Sequence, residues 1–280
     1  MNQNVNPLRQ FFRQPAIYFR LPSGGNYWPA GTVDIPDNQD LAVYPMTAID
    51  EITYRTPDSL FSGQASVSVI QSCIPNIRDA WEMPSVDLNS ILVAIRIASY
   101  GHNMDIATQC PACQHEGEYT ADLRHSLEQI RMGNYDRGRA WGEMHFEFCP
   151  MSYRQQNQLN IAQFEVQKQI QNVQNSDLVE EEKITMLAEL LQQVTRLTIE
   201  SLANCTLSIR TTAALVTERE HIVELYHNCD RKLFTEIRDY VIGLREPSEM
   251  PLLGIRCESC SHEYKQALIM DQANFFGNAS

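Results

Sequence analysis

Two short phrases constrain this chain more than any other feature: Cys-Pro-Ala-Cys-Gln-His-Glu at 110–116 and Cys-Glu-Ser-Cys-Ser-His-Glu at 257–263. Each sets two cysteines at Cys-x-x-Cys spacing, follows them with x-His-Glu, and runs into an extended stretch, YTADL in one case and YKQALIM in the other. A zinc ion held by four thiolates needs two such pairs, because each tight turn presents two sulfurs from one side. Cys110, Cys113, Cys257 and Cys260 are therefore the expected ligands of one Zn2+, and the two segments read as halves of a zinc-ribbon-like four-cysteine knuckle module. Four thiolates fill a tetrahedral ion and leave no position for a reactive water, so the expected role of the metal is structural. The distance between the pairs along the chain is no obstacle. Loop-closure entropy grows only logarithmically, and a folded insert brings its own ends together. Metal binding is then part of folding.

Two other readings of the pairs exist. They could be separate tight turns that never meet. One could instead be a redox dithiol, but that chemistry goes with a strand before the pair and a helix directly after, whereas PACQHEGEY opens a turn and a strand. His115 and His262 could replace a cysteine as ligand. With four sulfurs available, they read as supporting turn residues. Cys73, Cys149, Cys205 and Cys229 lack paired spacing and read as small buried apolar residues. Eight cysteines in 280 residues are too sparse for a disulfide scaffold.

The formal charge of −13 argues against a partner that is itself polyanionic, since nucleic acid and anionic membrane are met by clustered Lys and Arg. A zinc-ribbon regulator acting on nucleic acid is the alternative function, but HEGEYTADLRHSLEQIR and SHEYKQAL supply mixed charge rather than a basic stripe. The opening residues lack a signal-peptide pattern, and no apolar run approaches membrane-spanning length, so a soluble protein made in the cytosol is expected. No phosphate loop, H-E-x-x-H, G-x-S-x-G or dinucleotide fingerprint occurs, and LPSGGNYWPAG reads as a turn. Glu180, Glu181 and Glu182 suit the positive end of a helix rather than a catalytic dyad. No catalytic residue, substrate or organic cofactor is expected.

The expected fold class is α+β, with four segments. Residues 1–84 form a β-rich region with short helices: AIYFRL and LAVYPM are strands, and Thr47 with Asp50 and Glu51 starts a helix at Ala48. Residues 85–150 hold a helix with Leu88, Ile91, Leu92, Ile95 and Ala98 on one face, capped by Ser85 or Asp87 and closed by Gly101, then the first knuckle. EMHFEFCPM alternates as a half-buried strand. Residues 151–250 are a large helical insertion. Its first two helices break near residue 175, with Asp177 and Glu180 as a capping box and Ile184, Leu187, Leu191, Val194 and Leu197 as an apolar seam. That seam serves an intramolecular hairpin or a coiled-coil partner. Thr217 with Glu220 caps the next helix, and Gly243 ends the last. Residues 251–280 carry the second knuckle and a tail in which Phe275 and Phe276 either close a small core or dock a partner.

VYPMTAIDE, then DLNSILVAIRIASYG, CPACQHEGEYTADL, a helical middle and CESCSHEYKQALIMDQANFFG, in that order over about residues 40–277, resemble the baseplate hub or hub-assembly proteins of T-even-type contractile-tailed bacteriophages. The resemblance implies a non-enzymatic component or assembly factor of the tail baseplate. Such a protein is assembled in the host cytoplasm and works through contacts with other tail proteins, in several copies per particle. Only the four cysteines and their surrounding motifs carry over as site residues.

Overall fold

The structure, a computed structural model, describes residues 6–56 and 62–268. The Phe275–Phe276 pair lies outside them.

Strand β1 (Ile17–Phe19) pairs antiparallel with β2 (Leu41–Val43), each contributing inward apolar residues. Helix α1 (Ala48–Tyr54) starts at the expected box: the Asp50 N–H donates to Thr47 Oγ1 at 3.2 Å, and the Thr47 N–H donates to Asp50 Oδ2 at 2.8 Å. Helix α2 (Gln64–Cys73) follows, and then α3 (Ser85–Tyr100), around which the first core is built. The expectation for α3 is corrected in two respects. Val93 and Ala94 are buried along with Ile91, Leu92 and Ile95, so the helix is enclosed on more than one face, because α2, β1 and β2 all pack on it. Its first turn has no side-chain cap, since Asp87 turns inward instead. Gly101, at φ 85°, closes it as expected.

Past α3 come two hairpins that belong to the site described below. Between them lies an insert with a second core. Helix α4 (Leu123–Gln129) leads into strands β5 (Arg139–Trp141) and β6 (Met144–Phe148), which pair with β7 (Thr206–Arg210) and β8 (Leu215–Val216) in one antiparallel sheet of order β5-β6-β7-β8. Strand β6 buries Phe146 and Phe148, as its alternation predicts. Strands β7 and β8 fall inside the stretch read as helical. Helices α5 (Tyr153–Gln174) and α6 (Glu180–Asn204) form an intramolecular hairpin between β6 and β7, and α7 (Arg219–Asn228) and α8 (Arg231–Arg245) contribute to the core under the sheet.

The caps of this insert differ from expectation. Ser152 and Gln155 form a capping box on α5, whereas α6 and α7 start without side-chain caps, and α8 starts on Asp230 and runs two residues past Gly243. Asp177–Glu180 and Thr217–Glu220 are not boxes. The hairpin seam also lies one flank away from the expected one. Leu187, Leu190 and Leu197 face Val166 and Val173, while Ile184 and Leu191 are about 60% exposed, because two helices can cover only one side of each other.

The two ends of the insert meet. The Arg131 N–H donates to the Pro247 carbonyl at 2.8 Å, and Gly133 lies directly against the Leu244 carbonyl at the end of α8. Core one holds residues from both ends of the described chain, including Phe19 and Leu268, so the insert projects from a body closed by its two flanks.

Candidate metal centre

Strands β3 (Asn103–Gln109) and β4 (Glu116–Asp122) form one two-stranded hairpin, and β9 (Leu252–Arg256) and β10 (Glu263–Ala267) form the other. Each carries a Cys-x-x-Cys turn at its tip, built in the same way. Gln109 pairs with Glu116 and Arg256 with Glu263, so in both the glutamate of x-His-Glu opens the return strand opposite the residue before the first cysteine. The Cys110 N–H donates to the His115 carbonyl and the Cys257 N–H to the His262 carbonyl, both at 2.9 Å. The Gln114 N–H donates to the Cys110 carbonyl and the Ser261 N–H to the Cys257 carbonyl, again both at 2.9 Å.

Gln114 (φ 60°) and Ser261 (φ 61°) both adopt the left-handed conformation that lets the chain reverse so tightly. The echoed phrase is thus an echo of backbone geometry.

The turns face each other. Cys110 Sγ lies 3.7 Å from Cys260 Sγ, Cys113 Sγ lies 3.6 Å from Cys257 Sγ, and all four sulfurs fall within 4.8 Å of one another. These separations are too long for S–S bonds. They match the edge of a tetrahedron around an ion with metal–sulfur bonds of about 2.3 Å, which is about 3.8 Å. The donor set, four soft thiolates with no carboxylate or water position among them, suits Zn2+. In each turn the first cysteine is buried and the second exposed, so the cluster sits at the rim of the fold. A hydrogen bond from Gln266 Nε2 to the Ala107 carbonyl, at 3.1 Å, ties the hairpins together below the sulfurs.

The backbone N–H of Cys260, and after it that of Ser259, favours the thiolate of Cys257 and lowers its pKa to about 6. The His262 N–H likewise favours the Cys260 thiolate, yet the neighbouring thiols, Cys113 first and then Cys257 and Cys110, push that pKa up to about 12. Among thiols set this closely one thiolate forms readily and the next is opposed, an opposition that a dication would relieve. His115 and His262 use their main-chain carbonyls within the turns. The His262 ring stacks on Tyr264, with centroids 6.3 Å apart.

Cys73 and Cys205 are buried, Cys149 and Cys229 partly so, and burial raises the pKa of each. None of them joins the cluster. The left-handed residues Gln114 and Ser261 are parts of the site that the sequence reading missed. Their signal was present in the shared single residue between the second cysteine and His-Glu.

The family model described as T4 bacteriophage base plate protein matches residues 32–277. The chain belongs to that family. The match contains both cysteine turns and the whole insert between them, so this T4-type baseplate protein owes its described body, apart from the first residues, to the family. No curated protein and no solved structure matches it. Membership places the protein among the structural components of a phage tail. Among the described residues, no helix is long and apolar enough to cross a membrane.

Proposed function

We propose that this protein is a baseplate connector of the hub region whose cysteine turns form a zinc ribbon. In this reading Cys110, Cys113, Cys257 and Cys260 hold one structural Zn2+. The observation that carries the reading is the convergence of four sulfurs from hairpins on either side of the insert. An ion there would join the start, middle and end of the chain at one point and fix the angle at which the insert projects. The insert and the β1–β2 region then bridge different tail proteins through polar and apolar surfaces, with several copies in each particle, after assembly in the host cytoplasm. Its action is mechanical: it holds neighbours in register and needs neither a substrate pocket nor nucleic acid.

Mass spectrometry of purified particles, with and without prior chelation, tests the proposal. The chain should be present at a fixed ratio to other tail proteins and should be released or loosened by chelation. A baseplate that keeps this chain unchanged when assembled from metal-free protein would sink the zinc connector. Absence from mature particles, with presence in baseplate intermediates, would make it an assembly factor.

A further inference from the structure

Residues 6–12 form an arm in which every residue is exposed. Pro7–Phe11 is a 3-10 turn preset by proline in its first turn and capped by Asn6, whose side chain accepts from the Leu8 N–H at 2.9 Å. Its base is fixed by Arg13, which donates to the carbonyls of Pro45 at 2.6 Å and Ser72 at 2.7 Å. No residue of the turn is buried, and Leu8, Phe11 and Phe12 are 59%, 76% and 55% exposed. A segment already folded and already anchored loses little further entropy when its aromatic side chains are covered.

The arm carries a single charge, the cation of Arg9. No acidic residue precedes Asp34, although the chain as a whole is strongly acidic. Arg9 stands exposed among the apolar side chains.

The far end of the helical insert has the opposite character. Leu178 and Val179, at the turn between α5 and α6, are exposed, and further along the hairpin the half-exposed Met186 lies in a groove of about 300 Å³ lined also by Gln169, Asn172, Glu189 and Gln193. A second depression shares Met186 and is edged by Glu181 and Glu182, while Glu189 edges the groove itself. Lys183 is the single cation between Asp177 and Glu189. The exposed apolar side chains of Val179 and Met186 thus share this end of the hairpin with Glu181, Glu182 and Glu189.

We infer that the arm of one copy docks in the α5–α6 groove of a second copy, with Phe11 and Phe12 against the exposed Val179 and Met186, and Arg9 facing Glu181, Glu182 and Glu189. Charge complementarity selects this occupant: an apolar surface with an acidic rim and an apolar arm bearing arginine belong to the same chain. Because the two patches differ, the contact is head-to-tail, and each copy offers one of each, as a ring or a linear run of copies requires. The contact is independent of what the cysteines hold.

Sedimentation of the purified full-length protein over a concentration series, at low and high salt, tests it. Self-association should occur and weaken with salt. Phe11→Ala with Phe12→Ala on the arm, or Glu181→Lys with Glu182→Lys on the rim, should each weaken it by about tenfold or more. An arm variant mixed with a rim variant should give heterodimers and nothing larger, since one intact arm and one intact groove remain. Arg9→Glu combined with the rim reversal should associate more strongly than either alone. A protein that stays monomeric at low salt, association that survives both sets of variants, or an arm that binds only a different purified tail protein would each overturn the assignment.

Discussion

Gly133 lies so close to Leu244 that a β-carbon at position 133 would penetrate the Leu244 carbonyl, with the carbonyl carbon and Cα of that residue at 2.9 and 3.0 Å. This is where the chain entering the insert passes the end of α8 leaving it. Backbone cannot swing aside as a flexible side chain can, so Gly133→Ala should force the two ends apart and destabilise the fold by about 1–3 kcal/mol. Chemical denaturation of the two proteins measures it. A variant as stable as the parent would mean that the insert is not clamped at this contact.

The cysteine turns give a prediction that separates ligands from supports. Each of the four single Cys→Ser variants should lose stoichiometric zinc and unfold at lower temperature, because three thiolates no longer complete the ion's shell. His115→Ala and His262→Ala should keep both metal and fold, since each turn uses the histidine's main-chain carbonyl. Metal analysis alongside thermal unfolding decides the matter. A histidine variant that empties the site while a cysteine variant keeps it filled would reassign the ligands.

The metal candidate was legible because it is written locally: two repeated seven-residue phrases encode two turns of the same geometry, and only their meeting required the fold. Strand β6 and the Thr47 cap were legible for the same reason. The failures share a different cause. Asp87 looked like a helix cap, but its donors Ser23 and Trp28 come from a turn some sixty residues earlier. No local pattern encodes that meeting. Asp177 and Thr217 have capping-box spacing, yet the chain enters α6 and α7 in geometries that do not use them. Strands β7 and β8 were hidden inside a helix-rich composition, where β7 gained a partner only through β6, and β8 only through β7.

Arg13 shows how a single side chain can anchor the region around β1 and β2. Its guanidinium donates to the Pro45 carbonyl, to the Ser72 carbonyl and hydroxyl at 2.7 and 2.9 Å, and to Asp50 at 3.3 Å. Arg13→Ala should destabilise this region by about 1–3 kcal/mol, a figure held down because the side chain is about a quarter exposed. Arg13→Lys tests geometry against charge. A point-like ammonium cannot span the Pro45 and Ser72 acceptors as the planar fork does, so lysine should recover less than half of the loss. Full recovery in denaturant titrations would show that charge alone matters here.

Asp87 should give the protein a pH dependence of stability that runs against the usual carboxylate trend. The side chain is fully buried. It accepts from the Ser23 N–H at 2.9 Å, the Ser23 hydroxyl at 2.6 Å and the Trp28 Nε1–H at 2.8 Å. Burial outweighs these three donors and raises the pKa to about 6. In the unfolded chain an aspartate ionises near pH 4, roughly its ordinary value. The native state therefore holds its proton more tightly, and the stabilising contribution is fully present below about pH 4 and lost as pH rises through 6. The loss amounts to about 3 kcal/mol.

Other carboxylates titrate in the same window, so the readout is the stability of the parent minus that of Asp87→Asn, whose amide does not ionise. That difference should fall between about pH 4 and pH 7 by roughly the stated amount. A difference that stays flat would place the Asp87 carboxylate in balance with its three donors, and a rising one would mean that those donors outweigh burial.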